Sequence, residues 1–569
     1  MNVESRPKQA DTILHNGRVL TVDTKDSIQQ AVGISGDRII AVGDDPDVMG
    51  LADSTTTVID LQGRTLIPGI VDIHAHLDRE GLKRLYPTLE GARSIDDILT
   101  AVKHLVETKQ PGEWVTTMPI GDPPNYVDVP GNLLEKRFPT RWELDRVSPD
   151  NPVYIRGIWT PWNVPPSVSI ANSMALRLAG IDRQTSEPDS SVTIEKDRHG
   201  DPTGIFIDSA RFPSLEVTLM KVVPRFSHAD RVKTLKESMK LYNAVGTTGT
   251  YEGHGVAPEV LRVYKEVWDA EEMTVRARLT VSPTWRTASE AAKEMERWAH
   301  TVSGPGFGDE MLRITGYYIQ YGGSKYTSRA RAAELPFTGW AGFSQGYNTP
   351  ARFRRLARLA AKYNLRVNTL ARDTLDDTLK IFQEIEQEFT MSHNRWMVGH
   401  IRETEAAQLE RIRQLGRVVE TIPLTELWLR GGDYLKSDEL AHTVVAHRDY
   451  LSSDVKFGFG TDNKPYTPFV TLWSAVTRQE RKTGKILGPG QRLTRSEALR
   501  IFTMGGAYFS FDEHLRGSLE RGKLADLAVL SDDLLLVAEE KLPEISSVLT
   551  MVGGKIVHRS EAILDVERI

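Results

Sequence analysis

Eight short apolar runs, each closing on polar residues and separated by stretches of helical periodicity, most restrict how this chain can fold. They are Gly69–His76, Thr247–Tyr251 running into Glu252-Gly253-His254, Val275–Val281, Leu312–Gln320, Leu365–Leu370, Arg395–His400, Val418–Ile422 and Val455–Asp462. Helical patterns such as Ala229–Val245, Thr349–Tyr363 and Leu375–Glu388 fall between them, which argues for parallel β/α units. Eight such units with polar residues at the strand ends are the layout of a (β/α)8 TIM barrel, with its chemistry on the C-terminal face. The interval from about 80 to 244 is too long for one helix and reads as a long insertion after the first barrel strand.

The two ends of the chain are β-rich. Thr12–Leu14 turns at Asn16-Gly17 into Arg18–Val22, Arg38–Gly43 follows, and Ala525–Leu530 and Val548–Val557 repeat the character near the C-terminus. Neither end can bury a face alone, so the two are expected to combine into one β-sandwich. The expected organisation is residues 1–68 as its N-terminal part, 69–512 as the barrel and 513–569 as its C-terminal part.

The first run ends in His74-Ala75-His76. Positions i and i+2 of a strand share a face, so both imidazoles project toward one point. Two neutral imidazoles suit zinc or a similar divalent ion, although such pairs also occur by chance at surfaces. The chain contains no cysteine, which leaves His, Asp, Glu or a modified Lys to hold a metal. With 40% hydrophobic and 26% charged residues and a net charge of -6, the composition is that of a soluble protein without a basic surface for nucleic acid. Residues 1–8 lack the apolar core of a signal peptide, and no apolar run is long enough to span a bilayer, so a cytoplasmic location away from membranes is expected. The Gly-rich Ser303–Gly308 lacks the strand-to-helix context of a phosphate loop and reads as a turn.

Leu66–His76, Gly458–Asp462 and Gly517–Asp526 together resemble the amidohydrolase superfamily. Asn172–Ile181 and Gly200–Gly204 narrow the likeness to the amidohydrolase-3 branch of YtcJ-like and N-substituted formamide deformylase-like proteins. The similarity covers essentially the whole chain. It implies a metal-bearing TIM barrel with a composite β-sandwich, and it assigns His74 and His76, His400 and Asp462 as ligands at strands one, six and eight. The departures are specific. Tyr318 stands where the branch places a carboxylated lysine at strand four. Val367–Asp373 lacks the strand-five histidine, and a family histidine in the insertion falls near Ser167.

His74, His76 and Asp462 make three ligands, enough for a catalytic zinc that keeps a position open for water, and one ion per chain is expected. His400 is open between a fourth ligand and an acid or oxyanion donor. Glu252 and His254 are the candidate substitutes for the missing groups, with Glu252 taken as a metal ligand. Lys325 is a weaker one, in a polar loop past its strand. A divalent ion lowers the pKa of bound water from ~15.7 toward ~7, so hydroxide can attack a carbonyl without a side-chain nucleophile. Asp462 would carry the water proton to the leaving amine, and His400 or Tyr318 would stabilise the oxyanion.

Aromatic residues crowd the expected loops: Tyr326, Phe337, Trp340, Phe343 and Tyr347 in one, with Trp159, Trp162, Trp428, Tyr434 and Tyr466 near others. They favour an apolar or aryl substituent on a small-molecule substrate, or else seal the insertion against the barrel. The expected activity is hydrolysis of the C–N bond of an N-substituted amide, formamide or carbamate. Deamination of a heterocycle and a metal-poor, non-catalytic binding barrel stay open as alternatives, as does a homodimer.

Overall fold

The computed structural model describes residues 9–157, 166–209, 214–323, 347–561 and 566–568. Trp159, Trp162, Lys325, Tyr326, Phe337, Trp340 and Phe343 lie outside them. All eight apolar runs form strands of one parallel ladder: β1 (Ile70–Asp72), β2 (Thr247–Val256), β3 (Arg276–Val281), β4 (Leu312–Tyr318), β5 (Val367–Leu370), β6 (Met397–Gly399), β7 (Val418–Thr421) and β8 (Phe457–Phe459). Each strand pairs with the next, from β1 on β2 to β7 on β8. Just past the strand ends the ring is stitched shut, with Ile73 N donating to Phe459 O at 3.1 Å and Asp462 N donating to His74 O at 2.8 Å. Parallel strands are covered on both faces, which is why runs such as Val418-Val419 are apolar without alternation.

β2 reaches further than its sequence suggests. It runs ten residues, and its register against β3 slips between Glu252 and Val256. Glu252 and His254 therefore lie on the strand, 2% and 1% exposed, instead of at the start of a solvated loop.

Both chain ends contribute to both sheets of the composite sandwich. One sheet orders Val566–Arg568, Thr57–Asp60, Thr12–His15, Ala31–Ser35 and Arg38–Gly43; the other orders Lys555–Arg559, Ser547–Val552, Leu527–Leu530, Thr65–Pro68, Arg18–Leu20 and Ile28–Gln29. Leu14, Ile34, Leu66, Leu527 and Leu549 pack between them. Between β1 and β2 lies a five-stranded sheet built from Val115–Thr117, Val153–Ile155, Ser167–Ala171, Val192–Lys196 and Pro202–Asp208. The Asn172–Ile181 motif is a capped helix in this region: Asn172 Oδ1 accepts from Ala175 N at 3.0 Å, and Gly180 ends the helix at φ 68°. That left-handed turn is the conformation glycine supplies without a Cβ penalty. Among the described residues, no helix is long and apolar enough to cross a membrane.

The N-terminal end of the barrel is closed by buried ion pairs. Arg276 on β3 holds Asp526 of the C-terminal motif at 2.7 and 2.9 Å, tying sandwich to barrel. Asp512 meets Arg278 and Arg516 at 2.9 Å and Arg313 at 2.8 Å. Burial pushes the Asp512 carboxyl up, but the guanidinium groups of Arg516, Arg278 and Arg313 outweigh it and hold it down at about 2. A depressed carboxyl stabilises the fold fully above its unfolded value and loses that contribution as pH falls through the folded value. Asp512→Asn, which leaves the buried Arg278 and Arg516 and the part-buried Arg313 without their countercharge, is expected to cost about 3–5 kcal/mol. It should also abolish a loss of about 2 kcal/mol that the wild type shows between its ordinary aspartate range and pH 2. Thermal midpoints of both proteins across that acid range check both expectations.

Candidate metal centre

The C-terminal ends of β1, β2, β6 and β8 bring four histidines and an aspartate together. His76 Nε2 lies 2.8 Å and His74 Nε2 3.7 Å from Asp462 Oδ1. The His74 ring stands edge-on to His76, His254 and His400 at 5.2, 4.8 and 4.7 Å between centroids. His254 stacks between His76 at 5.1 Å and His400 at 5.6 Å. Three sets of donors could each surround an ion, with ligand atoms within 4.8 Å of one another: His74, His76 and Asp462; His74, His254 and His400; His76, Glu252 and His254. All of these side chains are buried.

The first set fits a divalent ion best. Ligand atoms at about 2.0–2.1 Å from a tetrahedral ion lie roughly 3.3 Å apart. The 2.8 and 3.7 Å separations bracket that spacing. Each of its histidines is also backed by a carboxylate on the nitrogen that faces away. His76 Nδ1 is 2.9 Å from Glu252 Oε1, and His74 Nδ1 is 3.3 Å from Glu420 Oε2. A carboxylate beside Nδ1 favours the tautomer that presents the Nε2 lone pair to the centre, and at His76 the Arg79 Nη2 donor, 2.7 Å from the same Nδ1, competes with it. Glu252, expected as a ligand, thus occupies the far side of the His76 ring, where both its oxygens also meet Arg79 Nη2 at 3.2 Å.

The local backbone explains the precision. Asp72 Oδ1 accepts from His74 N and from Thr461 N, each at 3.1 Å, clamping β1 to β8. Asn463 grips the backbone of His76, its Oδ1 accepting from His76 N at 2.9 Å and its Nδ2 donating to His76 O at 3.2 Å. A Cβ at Gly253 would lie 2.4 Å from His74 Nδ1, and one at Gly460 would lie 2.2 Å from His74 Cβ, so the ring is held by close approach of two glycines. His400 at φ 52° and Asp462 at φ 51° are non-glycine residues in the left-handed region. Such conformations cost about 1–3 kcal/mol each and collect at functional sites.

Electrostatics sets the protonation states. Burial pushes the Asp462 carboxyl up, but the Lys464 ammonium, 2.8 Å from Oδ2, and the two imidazoles outweigh it and hold Asp462 well below the usual carboxylate range. Burial, reinforced by the neighbouring histidines, pushes His254 well below the ordinary imidazole range and keeps it neutral. His74 goes the other way: burial disfavours its charged form, but Glu420, Asp462 and Glu252 prevail and raise it. Tyr318, whose ring lies 5.7 Å from that of His254, is pushed up by burial and remains a protonated donor.

All five expected ligands, His74, His76, His400, Asp462 and Glu252, converge here, with Tyr318 at the edge. In place of the strand-five histidine, Asn368 accepts from the Tyr251 hydroxyl at 3.1 Å inside the barrel. Among the aromatic candidates, the Tyr434 hydroxyl donates to Glu426 at 2.7 Å, and Tyr466 stacks on Tyr242 at 5.5 Å. Sequence reasoning missed Glu420, Asn463, Lys464 and Arg79. Glu420 did carry a signal, a single acid inside the apolar run Val418–Ile422. Asn463 and Lys464 carried none beyond adjacency to Asp462.

The family model described as Amidohydrolase family matches residues 57–558. The chain is 26% identical to an N-substituted formamide deformylase of Arthrobacter pascens, covering 96% of this chain and 97% of that protein. It is 25% identical to the putative amidohydrolase YtcJ of Bacillus subtilis (strain 168), over 88% and 90% respectively. A crystal structure of an uncharacterised metal-dependent hydrolase from Pyrococcus horikoshii OT3 superposes with a TM-score of 0.66 at 22% identity, covering 93% of this chain and 99% of that one.

Carboxylates that orient metal-ligating histidines are commonly worth about 10–100-fold in metal affinity. Glu420→Gln is therefore expected to weaken zinc binding about 10–100-fold in a competition titration while circular dichroism stays that of the wild type. Unchanged affinity would remove Glu420 from the centre.

Proposed function

The chain belongs to the amidohydrolase family, and from that premise we propose that it hydrolyses the C–N bond of an N-substituted amide, formamide or carbamate at one divalent ion, zinc by preference. The observation that carries this reading is the convergence of His74 Nε2, His76 Nε2 and Asp462 Oδ1 where the barrel closes. Two imidazoles and a carboxylate are the donor types of catalytic zinc. An ion held by these three residues would supply Lewis acidity, making water acidic near neutral pH and polarising the scissile carbonyl.

The remaining chemistry falls to the protein. Asp462 is ionised, as a proton acceptor must be, and takes a proton from the attacking water as the C–O bond forms. His400, whose Nε2 lies 3.9 Å from Asp462 Oδ2, or the Tyr318 phenol donates to the carbonyl oxygen as it gains charge. Asp462 then delivers the proton to the departing nitrogen, so the C–N bond breaks to a neutral amine and a carboxylic acid. Glu252 serves in this scheme as the orienting partner of His76. His254, neutral and stacked between two imidazoles, is available as a further ligand.

Elemental analysis of protein purified without chelator is expected to return close to one zinc per chain, lost in the His74→Ala, His76→Ala double variant. Two ions per chain would redraw the site around Glu252 and His254. Asp462→Asn should lower turnover of aryl-substituted formamides, amides or carbamates by about 10²–10⁴-fold, the range for general acid–base groups. A near-normal rate would remove Asp462 from proton transfer.

A further inference from the structure

After Asp462 the chain folds back on itself. Asp462 and Asn463 are consecutive non-glycine residues in the left-handed region, at φ 51° and 56°, and Lys464 N donates to Thr461 O at 3.2 Å. This turn, just past the end of β8, returns the Lys464 side chain over the carboxyl group of Asp462, where Nζ lies 2.8 Å from Oδ2. Nζ also donates to Thr425 Oγ1 at 3.2 Å. Thr425 belongs to the π-helical turn Leu424–Leu429 that follows β7, a wide turn of the kind often found at functional sites. The ammonium is thus fixed from two strand ends, and Lys464 is only 5% exposed.

The two oxygens of Asp462 face different groups. Oδ1 lies 2.8 Å from His76 Nε2 and 3.7 Å from His74 Nε2, in the donor set that fits a divalent ion. Oδ2 meets Lys464, with His400 Nε2 further off at 3.9 Å. A carboxylate binds an ion through one oxygen or through both. A cation seated on the second oxygen takes up its negative charge and repels the ion, and burying that cation costs desolvation. A fold built for tight metal binding alone therefore gains nothing from a lysine here. A catalytic zinc, by contrast, keeps a position open for water beside its protein ligands, and the second oxygen of Asp462 would fill it.

We propose that Lys464 is a positioning residue that holds Asp462 to one-oxygen binding, Oδ1 toward the ion and Oδ2 held off it, and that it thereby weakens metal affinity. The proposal rests on the one-ion hydrolase reading above, and it adds what keeps the water position open.

The test compares wild type with Lys464→Met and Lys464→Gln, the second of which keeps a neutral donor. Zinc affinity is read by competition titration against a chromophoric chelator. Coordination is read from the visible absorption of the cobalt(II)-substituted proteins, whose bands weaken as the ligand count rises. Loss of the positive charge should tighten zinc binding by about tenfold or more in Lys464→Met, and by less in Lys464→Gln. The cobalt bands should lose intensity in Lys464→Met as Oδ2 joins the ion, and turnover of formamides should fall about 10²-fold with zinc still bound. A lysine that only supports the fold predicts the opposite sign, looser zinc binding. Zinc affinity equal to or below that of the wild type in the folded variants overturns the proposal, as do unchanged cobalt bands in Lys464→Met; should that variant not fold, Lys464→Gln alone decides. Turnover by the wild type together with either of those results would sink the positioning role and keep the hydrolase. Tighter zinc binding and weaker cobalt bands, with no turnover of formamides, amides or carbamates by the wild type, would keep the positioning role and sink the hydrolase.

Discussion

Everything at this site depends on how the barrel closes. β1 and β8 meet through Asp72, which binds the backbone of both His74 and Thr461, and through Asp462 N donating to His74 O. Asn463 adds a two-point grip on the backbone of His76. These bonds are buried, so none is traded against water, and breaking one would leave a polar group stranded. They bring His76 to within 2.8 Å of Asp462, 386 positions later in the chain. The convergence of these side chains is thus a consequence of ring closure, enforced by hydrogen bonds that their own backbone makes.

Behind these candidate ligands stands a layer that fixes how they point. Glu252 and Glu420 address the Nδ1 atoms of His76 and His74, and Gly253 and Gly460 leave just enough room for the His74 ring. The imidazoles gather on the β1, β2 and β6 side, His254 arriving from β2, while β5 offers Asn368 instead of a histidine. Among the described residues, Tyr318 ends β4 beside this cluster, its ring 5.7 Å from that of His254.

The architecture was legible because its signals are local. Apolar runs of strand length alternating with helical periodicity marked all eight strands, and the hairpin signals at both ends marked the composite sandwich. The i, i+2 spacing of His74 and His76 marked the pair, although the strand ends at Asp72 and both histidines lie just past it. Glu252 and His254 were less legible, since nothing local shows that β2 continues through Val256 with a slipped register against β3. Tyr434 looked like a pocket aromatic, yet its hydroxyl binds Glu426.

The sequence by itself determined the fold class, the closely spaced pair of histidines after the first strand and the Asp462 strand end, because periodicity and spacing act within a few residues. The tertiary structure alone decided which groups face each other. Glu420 stands behind His74, and Lys464 against Asp462 Oδ2. Those relations are set by the closure and strand order of a ring that joins residues hundreds of positions apart, and no local pattern encodes a distance across it.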